Sequence, residues 1–318
     1  MTIVAGTEKR EVSSDVQIKQ MFELSRKSVS ESTRRLRRTA WDAFIAFCKG
    51  RNIVPYKNTE MAVALFITHM HAEGRSPNTI WAYSSCLRRV FEERGLTVDM
   101  GHPNIRKLLS ATRREGRPPK GKDPLRTEHV VAMLRATDNT PAGLQERALL
   151  LLIYAGACRR SEIVALDVED LSFAPEGLTI HIRKSKTDQE GHGRRVDIAY
   201  AERVDRCPIR AVRQLLNSRG YTSGPIFRSG RRGGHLGDTR LSGQSVARII
   251  KRLAKRAGLE GDFSGHSPRA GHITEAVRAN VGEAIIVRQT GHMSLNSLRP
   301  YIRLKREFKS NSSRSLGL

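Results

Sequence analysis

The feature that most restricts the fold of this chain is a short segment rich in proline, glycine and basic residues. It covers residues 113–124, reads RREGRPPKGKDP, and holds three prolines, two glycines and five basic residues. Such a composition cannot belong to a packed core, and its prolines favour an extended linker. A single core usually stops growing at about 250–300 residues, so a chain of 318 residues is expected to form two domains. We therefore predict a disordered N-terminus (1–16), a first domain (17–112), the linker and a second domain (125–318).

The first domain is predicted to be entirely helical. Apolar residues near its start recur at the three-to-four spacing of a core-facing helix stripe: Trp41, Phe44, Ile45 and Phe47. Thr59 fits the N-cap of a second helix, and Ser76 with Pro77 fits the N-cap and first position of a third. A fourth, short helix is predicted over residues 103–113. No strand pattern interrupts this region, so we expect four helices.

The second domain is predicted to be mostly helical with one β-hairpin. Residues 178–183 and 195–198 alternate apolar and polar side chains, which is typical of strands, and a polar, basic tip joins them. Helical patterns occupy residues 127–136, 143–155, 208–219, 242–257, 272–279, 281–290 and the final segment. The predicted fold class is therefore mainly α with a small antiparallel β-sheet.

The charge of the chain indicates a polyanionic partner. Lys and Arg total 56 against 32 Asp and Glu, which gives a net charge of +24 and a pI near 10.7. Nucleic acid is the usual partner, because each basic residue on a phosphate releases condensed counterions. A basic membrane-surface protein is the alternative, but no amphipathic stretch carries the required face of Trp, Phe and Leu. The predicted DNA contacts are Arg34, Arg35, Arg88, Arg117, Lys120, Lys122 and Arg183. Solvated helix faces and an ordinary hinge are the simpler explanation of the same residues.

Cysteine usage and the lack of targeting signals predict a soluble, cytoplasmic protein. The four cysteines, Cys48, Cys86, Cys158 and Cys207, form no CxxC pair, so we expect reduced, mostly buried thiols. The first residues lack the basic-then-apolar layout of a signal peptide. The longest apolar run, residues 148–157, is too short to span a bilayer.

No motif in the sequence indicates a metal or nucleotide cofactor. There are no clustered carboxylates at ligand spacing, no histidines at zinc spacing with cysteines, and no GxxxxGK[ST] segment. Phosphodiester cleavage without a metal needs a nucleophile, cations for the phosphate charge and a proton source for the leaving oxygen. A metal-free reaction would therefore need all of these groups in the chain itself.

Two candidate elements contain cations. Arg159 and Glu162 lie three residues apart in GACRRSEI, so on a helix they share a face and the carboxylate can orient the guanidinium. The tip of the predicted hairpin reads RKSKT, and a lysine there can reach a groove and donate a proton. Each element alone is also typical of an ordinary helix-end ion pair or an ordinary turn.

Two further elements contain histidines and a tyrosine. GHSPRAG places His266 and Arg269 three residues apart, where a helical turn lets both face one phosphate. Gly291-His292 precedes Tyr301 by nine positions, counted from the histidine. Taken singly, these residues are more often structural.

The order of the four elements resembles the signature of the tyrosine recombinase family, which includes phage integrases and Cre-like enzymes. The succession is Gly-x-x-Arg-x-Ser-Glu, a hairpin lysine, His-x-x-Arg, Gly-His and tyrosine, over about 145 residues. The HSPRAG stretch and the Gly-His-to-Tyr spacing are its most specific parts. The resemblance covers residues 125–305 as the catalytic domain and extends more loosely to the first domain, which is similar to the family's helical core-binding domain.

The resemblance implies a role for each matching position. Arg159, supported by Glu162, and Arg269 would clamp the scissile phosphate and stabilise its pentavalent transition state. His266 would act as general base or hydrogen-bond the phosphate, and His292 would bind a non-bridging oxygen.

The same resemblance implies the course of the reaction. Tyr301 would form a 3′-phosphotyrosine, and Lys186 would protonate the leaving 5′-hydroxyl. One phosphodiester is traded for one phosphotyrosine, so neither metal nor ATP is expected. Four protomers would act on two inverted-repeat DNA sites through a Holliday junction, which places the protein at the nucleoid.

Some alternatives stay open at this point. Arg160 and Lys184 compete with the assigned arginine and lysine, although the motif register favours Arg159 and Lys186. Pro300 restricts the residue before it and is expected to break the helix there, so that Tyr301 falls in the first turn of the next helix. The rival functions are a non-catalytic DNA-binding factor on the same fold and a topoisomerase-like enzyme that nicks and reseals DNA.

Overall fold

The computed structural model describes residues 29–116, 121–184 and 193–291, together with residues 298 and 301. The chain divides into two compact units between Lys120 and Gly121, inside the segment predicted as the linker. The predicted disordered N-terminus, the final segment and four candidate site residues lie outside the described residues. Those four are Arg117, Lys120, Lys186 and His292.

The described part of the first unit contains four helices and no strand, which confirms the prediction for this part. The helices are α1 (Glu31–Lys49), α2 (Thr59–Ala72), α3 (Pro77–Glu92) and α4 (Pro103–Glu115). α3 begins as predicted, because Ser76 is its N-cap and accepts a hydrogen bond from the Thr79 amide at 3.2 Å. The predicted cap of α2 is wrong: Asn58 is the N-cap, and Thr59 is the first helical residue. The Thr59 hydroxyl instead donates to the Thr97 carbonyl at 3.3 Å.

Aromatic side chains form the centre of the first unit. Phe44 contacts Phe66 and Phe91 edge to face, with ring centroids 5.5 Å and 5.7 Å apart. Trp41 lies edge to face on Phe91 at 5.4 Å. The predicted apolar stripe of α1 therefore packs against α2 and α3, and it orients the charged face of α1 away from the core.

The second unit contains more elements than the sequence predicts. Its helices are α5 (Thr127–Arg135), α6 (Pro141–Ala155), α7 (Arg160–Ala165), α8 (Pro208–Arg219), α9 (Gly243–Arg256), α10 (Ser267–Arg278) and α11 (Glu283–Thr290). Its strands are β1 (Leu171–Phe173), β2 (Gly177–Ile182), β3 (Arg194–Ala199), β4 (Arg228–Gly230) and β5 (Leu236–Arg240).

The predicted hairpin is confirmed, within a larger sheet. β2 and β3 pair antiparallel, with Ile180 opposite Val196 and His181 opposite Arg195. β1 adds a third antiparallel strand beside β2, and β4 pairs with β5 in a second, two-stranded sheet. β1 and β4 have three residues each, too few to show an alternating pattern in the sequence.

Helix α6 lies in the centre of the second unit. Four of its residues, Leu149, Leu150, Leu152 and Ile153, have no exposed surface, because α6 packs against α5, α7, α8 and α10. It begins two residues earlier than predicted, at Pro141, since Thr140 is its N-cap and accepts from the Gly143 amide at 3.2 Å. The four cysteines are buried and free, as predicted. None of the described helices has the length and apolar character needed to cross a membrane.

Helix α10 begins at Ser267, five residues before the predicted start. Its first turn contains Pro268 at an early helical position, and small residues that show no apolar periodicity. Gly271 is required there, because a Cβ atom at this position would lie 1.7 Å from the Leu125 carbonyl oxygen. The early start places His266 and Arg269 at the N-terminus of a helix that packs on α6.

Candidate active site

Arg159 is held at the N-terminus of α7 by Glu162. Arg159 is the N-cap residue, and its backbone amide donates to Glu162 Oε2 at 2.8 Å. Its Nη1 donates to Glu162 Oε1 at 2.6 Å. The prediction that the two residues share a helix face is wrong in its geometry, because Arg159 precedes the helix; their pairing is nevertheless present. The Glu162 side chain is fully buried and that of Arg159 is 18% exposed.

The ionised state of Glu162 is favoured by its partners. Burial opposes ionisation, but the Arg159 amide, Arg194 and the Arg159 guanidinium together lower the pKa of Glu162 below its ordinary value. The carboxylate therefore stays charged at neutral pH and fixes the guanidinium beside it. Arg160, the competing arginine, is exposed and its side chain lies against Gly265, where a Cβ would be 2.1 Å from Arg160 Cδ.

Arg269 is the largest fully buried side chain of the described residues, with 1% of its surface exposed. Its Nη1 donates to the Ala157 carbonyl at 2.6 Å. Ala157 has a φ of 47°, an unusual conformation that belongs to the turn between α6 and α7. Burial, then the charge of Arg159, lowers the pKa of Arg269 to about 10, so the guanidinium remains protonated at neutral pH.

His266 is the N-cap residue of α10 and lies at the surface. Partial burial, then the charges of Arg269, Arg160 and Arg159, lowers the pKa of His266 below its ordinary value. The imidazole is therefore neutral at pH 7 and has a nitrogen lone pair available to accept a proton.

Tyr301 is helical and half-buried. Its ring packs against the apolar cluster of Ile273, Ile286 and Leu298. Burial raises the pKa of Tyr301, and the charge of Arg269 acts in the opposite direction. The group is therefore a protonated phenol at neutral pH. The predicted helix break at Pro300 lies outside the described residues.

Arg194 and Gln289 belong to the same region, and the sequence did not indicate them. Arg194 Nη2 donates to Glu162 Oε2 at 3.0 Å, and its Nη1 donates to the Gln289 carbonyl at 2.9 Å. Arg159 Nη2 donates to the Gly291 carbonyl at 3.3 Å. The one available signal was Gly291, since a glycine after a helical pattern is typical of a helix C-terminus.

The described DNA-contact candidates differ in their surroundings. Arg34 pairs with Glu31 at 2.6 Å within α1, and Arg88 pairs with Glu92 at 3.8 Å within α3. Arg35 is exposed on α1. These are surface positions on the first unit, where ion pairs along a helix contribute little to stability.

The two described candidates of the second unit have partners within it. Lys122 pairs with Asp262. Arg183 donates to Asp167 at 2.6 Å and lies 2.9 Å from an Asp170 oxygen. These carboxylates neutralise the charge of Arg183. The ion pairs connect the end of β2 to the segment that follows α7.

The comparison with family models decides the classification of the chain. Residues 124–307, more than half of the chain, match the model of the phage integrase family. The chain belongs to that family. It is a tyrosine-type site-specific recombinase, as the sequence signature predicts.

Curated relatives and solved structures agree with membership of the phage integrase family. The integrase/recombinase xerD homolog of Selenomonas ruminantium is 33% identical over 295 residues, which cover 90% of this chain and 85% of the relative. Tyrosine recombinase XerD of Listeria monocytogenes is 24% identical over 252 residues, 77% of this chain and 79% of the relative.

Two solved structures share the fold at low sequence identity. The Tn1549 transposon integrase in complex with transposon right end DNA gives a TM-score of 0.65 at 14% identity and covers 95% of this chain and 96% of its own. A lambda integrase dimer bound to a COC′ core site gives a TM-score of 0.59 at 18% identity, and the match covers 94% of this chain and 80% of the integrase chain. The predicted fold class is confirmed.

Proposed function

We propose that this recombinase cleaves and rejoins duplex DNA at specific sites through a covalent 3′-phosphotyrosine on Tyr301. The observation that carries the proposal is the arrangement of these groups around α10. His266 is the N-cap of this helix, and Tyr301 packs against its Ile273. Arg269, in its first turn, donates to the carbonyl of Ala157, two residues before Arg159. Two fixed cations, a neutral base and a phenol are the groups that metal-free attack on a phosphodiester requires.

The proposed reaction exchanges one phosphate ester for another. The Tyr301 oxygen attacks the scissile phosphorus, the bond from phosphorus to the 5′-oxygen breaks, and the chain gains a phosphotyrosine. Arg159 and Arg269 stabilise the charge that develops on the non-bridging oxygens. Removal of one such donor commonly slows an enzyme by about 10²–10³-fold.

Proton transfers complete the cycle. Neutral His266 accepts the phenol proton as the bond to phosphorus forms, because Tyr301 is not ionised at neutral pH. Lys186 donates a proton to the leaving 5′-oxygen, and His292 binds a non-bridging oxygen. Both roles rest on the family resemblance. A 5′-hydroxyl of the partner strand then reverses the step, so no metal, ATP or other cofactor is consumed.

We further propose how the whole chain engages its substrate. Residues 17–112 serve as a core-binding domain and residues 125–318 as the catalytic domain, joined by the linker 113–124. The net charge of +24, and the fold shared with integrases solved on DNA, support duplex DNA as the partner. Four protomers act on two inverted-repeat sites through a Holliday junction, which places the enzyme at the nucleoid.

Covalent capture tests this proposal. The protein is incubated, in chelator, with nicked duplexes of random core sequence, and the DNA bound covalently is sequenced. Adducts enriched for an inverted-repeat site, and absent with Tyr301→Phe, are expected. Tyr56→Phe is the matched control, since Tyr56 is exposed on the first unit and should leave adduct formation unchanged.

Other results would select a rival function. DNA binding without adducts by wild type would favour the non-catalytic binding factor. Relaxation of supercoiled DNA without recombinant products would favour the topoisomerase-like enzyme.

A further inference from the structure

Glu162 holds two guanidinium groups rather than one. Its Oε1 accepts from Arg159, and its Oε2 accepts from the Arg159 amide and from Arg194. The carboxylate is fully buried, and the Arg194 side chain is 16% exposed. An ion pair enclosed in this way is little screened by solvent, so each guanidinium is held in one orientation.

The same two guanidinium groups also bind the C-terminal end of α11. Arg194 donates to the Gln289 carbonyl and Arg159 to the Gly291 carbonyl. The last carbonyls of a helix have no partners within the helix and carry partial negative charge, so cations bind there favourably. Arg159 and Arg194 therefore each bridge the buried carboxylate of α7 and the C-terminal end of α11, where Gly291 is the C-cap residue.

Gly291 provides the space for this arrangement. It follows α11 with a φ of 65°, a conformation that favours glycine. A Cβ atom at this position would lie 2.8 Å from Arg194 Nε and 2.9 Å from Arg194 Cδ. Any side chain at position 291 would accordingly displace the Arg194 guanidinium.

We propose that Arg194 is a positioning residue for cleavage: it fixes the Glu162 carboxylate, and thereby Arg159, and it fixes the α11 end that leads to residue 292. The inference rests on the proposed function, in which Arg159 binds the scissile phosphate. Without Arg194, Glu162 loses one of the two cationic partners found among the described residues, and the Gln289 carbonyl loses the hydrogen bond from Arg194. The guanidinium of Arg159 then samples other orientations, although it keeps its charge.

Single-turnover adduct formation on a saturating nicked substrate tests the role. Arg194→Met removes the charge and keeps much of the side-chain length. We expect on the order of 10–100-fold slower cleavage, the size that a displacement of about 1 Å produces, with DNA affinity within about threefold of wild type. Arg194→Lys should recover part of the rate, because an ammonium still reaches Glu162 but cannot make both bonds.

Arg240→Met is the matched control. Arg240 also bridges a carboxylate and backbone carbonyls in this unit, Asp167 at 2.5 Å and Val164 at 2.9 Å, but it does not bind Glu162. Arg240→Met breaks an ion pair of the same kind without touching Arg159 or Glu162, so the cleavage rate should stay within about threefold of wild type.

A double-mutant cycle separates positioning from general stabilisation. If Arg194 acts through Arg159, the Arg159→Ala/Arg194→Met enzyme should cleave no more slowly than Arg159→Ala. Multiplied defects in the double variant, or a wild-type rate for Arg194→Met, would overturn the inference.

Two further outcomes are distinguishable. If Arg194→Met does not fold, Arg194→Lys and Gly291→Ala decide the question, and wild-type cleavage by both would overturn the inference. If wild type itself forms no Tyr301 adduct, the proposed function fails, and the inference that rests on it is overturned as well.

Discussion

Replacement of Glu162 by glutamine tests how strongly the buried carboxylate organises the site. The amide keeps the shape of the side chain and removes its charge. One amide oxygen replaces two carboxylate oxygens, and the amide NH₂ then faces the donors of Arg159 or Arg194. Both guanidinium groups lose their counter-charge while they remain largely enclosed, at 18% and 16% exposure.

The expected loss of stability follows from this burial. Breaking a buried ion pair by removal of one partner costs about 3–5 kcal/mol. For a unit of this size each kcal/mol lowers the melting temperature by about 2–4 °C, so a fall of roughly 6–20 °C is expected. Thermal and urea unfolding of wild type and Glu162→Gln measure it. Glu176→Gln, at an exposed turn between β1 and β2, is the control and should change the free energy of unfolding by less than about 0.5 kcal/mol.

The stabilisation that Glu162 provides should depend on pH. Because the pKa of Glu162 is lowered in the folded protein, its contribution is complete above the ordinary glutamate pKa of about 4.3 and is lost as pH falls through the lowered value. The difference between wild type and Glu162→Gln should be constant from about pH 8 to 5 and shrink in stronger acid. A difference below about 1 kcal/mol, or one that grows in acid, would refute the reasoning.

Three further predictions concern the reaction and its substrate. Cleavage by wild type should fall in acid with an apparent pKa below 6.5, because the lowered pKa of His266 keeps the proposed base neutral above that value. Rate measurements across pH on wild type and His266→Gln test this. An unchanged pH dependence in the variant would assign the titration to another group. Arg269→Lys should slow adduct formation by about 10²–10³-fold, because an ammonium in this buried position cannot both donate to Ala157 and face a phosphate, and single-turnover rates close to wild type would contradict it. Binding to duplex DNA should weaken by roughly 10³–10⁵-fold between 50 and 200 mM salt if about ten phosphates are contacted, and a flat salt response in equilibrium titrations would count against the DNA interface.

Local chemistry made much of the fold predictable. Ser76 with Pro77 marks the start of α3. Helix α8 spans Pro208–Arg219, as predicted from its helical pattern, which begins at Pro208. The hairpin followed from period-two alternation in residues 178–183 and 195–198. These features depend on residues close in sequence, where propensity and capping decide the structure.

The features that sequence reasoning missed depend on distant partners. Arg194 lies 32 positions after Glu162 and 95 before Gln289, so nothing near it in the sequence indicates either contact. The cap role of Arg159 was missed because arginine is not a preferred N-cap residue. The early start of α10 was missed because its first turn holds small residues, and Gly271 packs on the Leu125 backbone, a contact that no periodic pattern reveals.

The way in which residues 122–125 meet the start of α10 has a mechanical consequence. The Asp123 amide donates to the Asp262 carbonyl at 3.1 Å, the Asp262 amide donates to Asp123 Oδ2 at 2.7 Å, and the Leu125 amide donates to the Ser267 carbonyl at 3.0 Å. These hydrogen bonds hold the end of the predicted linker against the loop that contains His266. A force applied along the linker would therefore act first on this loop rather than on the interior of the second unit, and the loop contains the proposed base, His266.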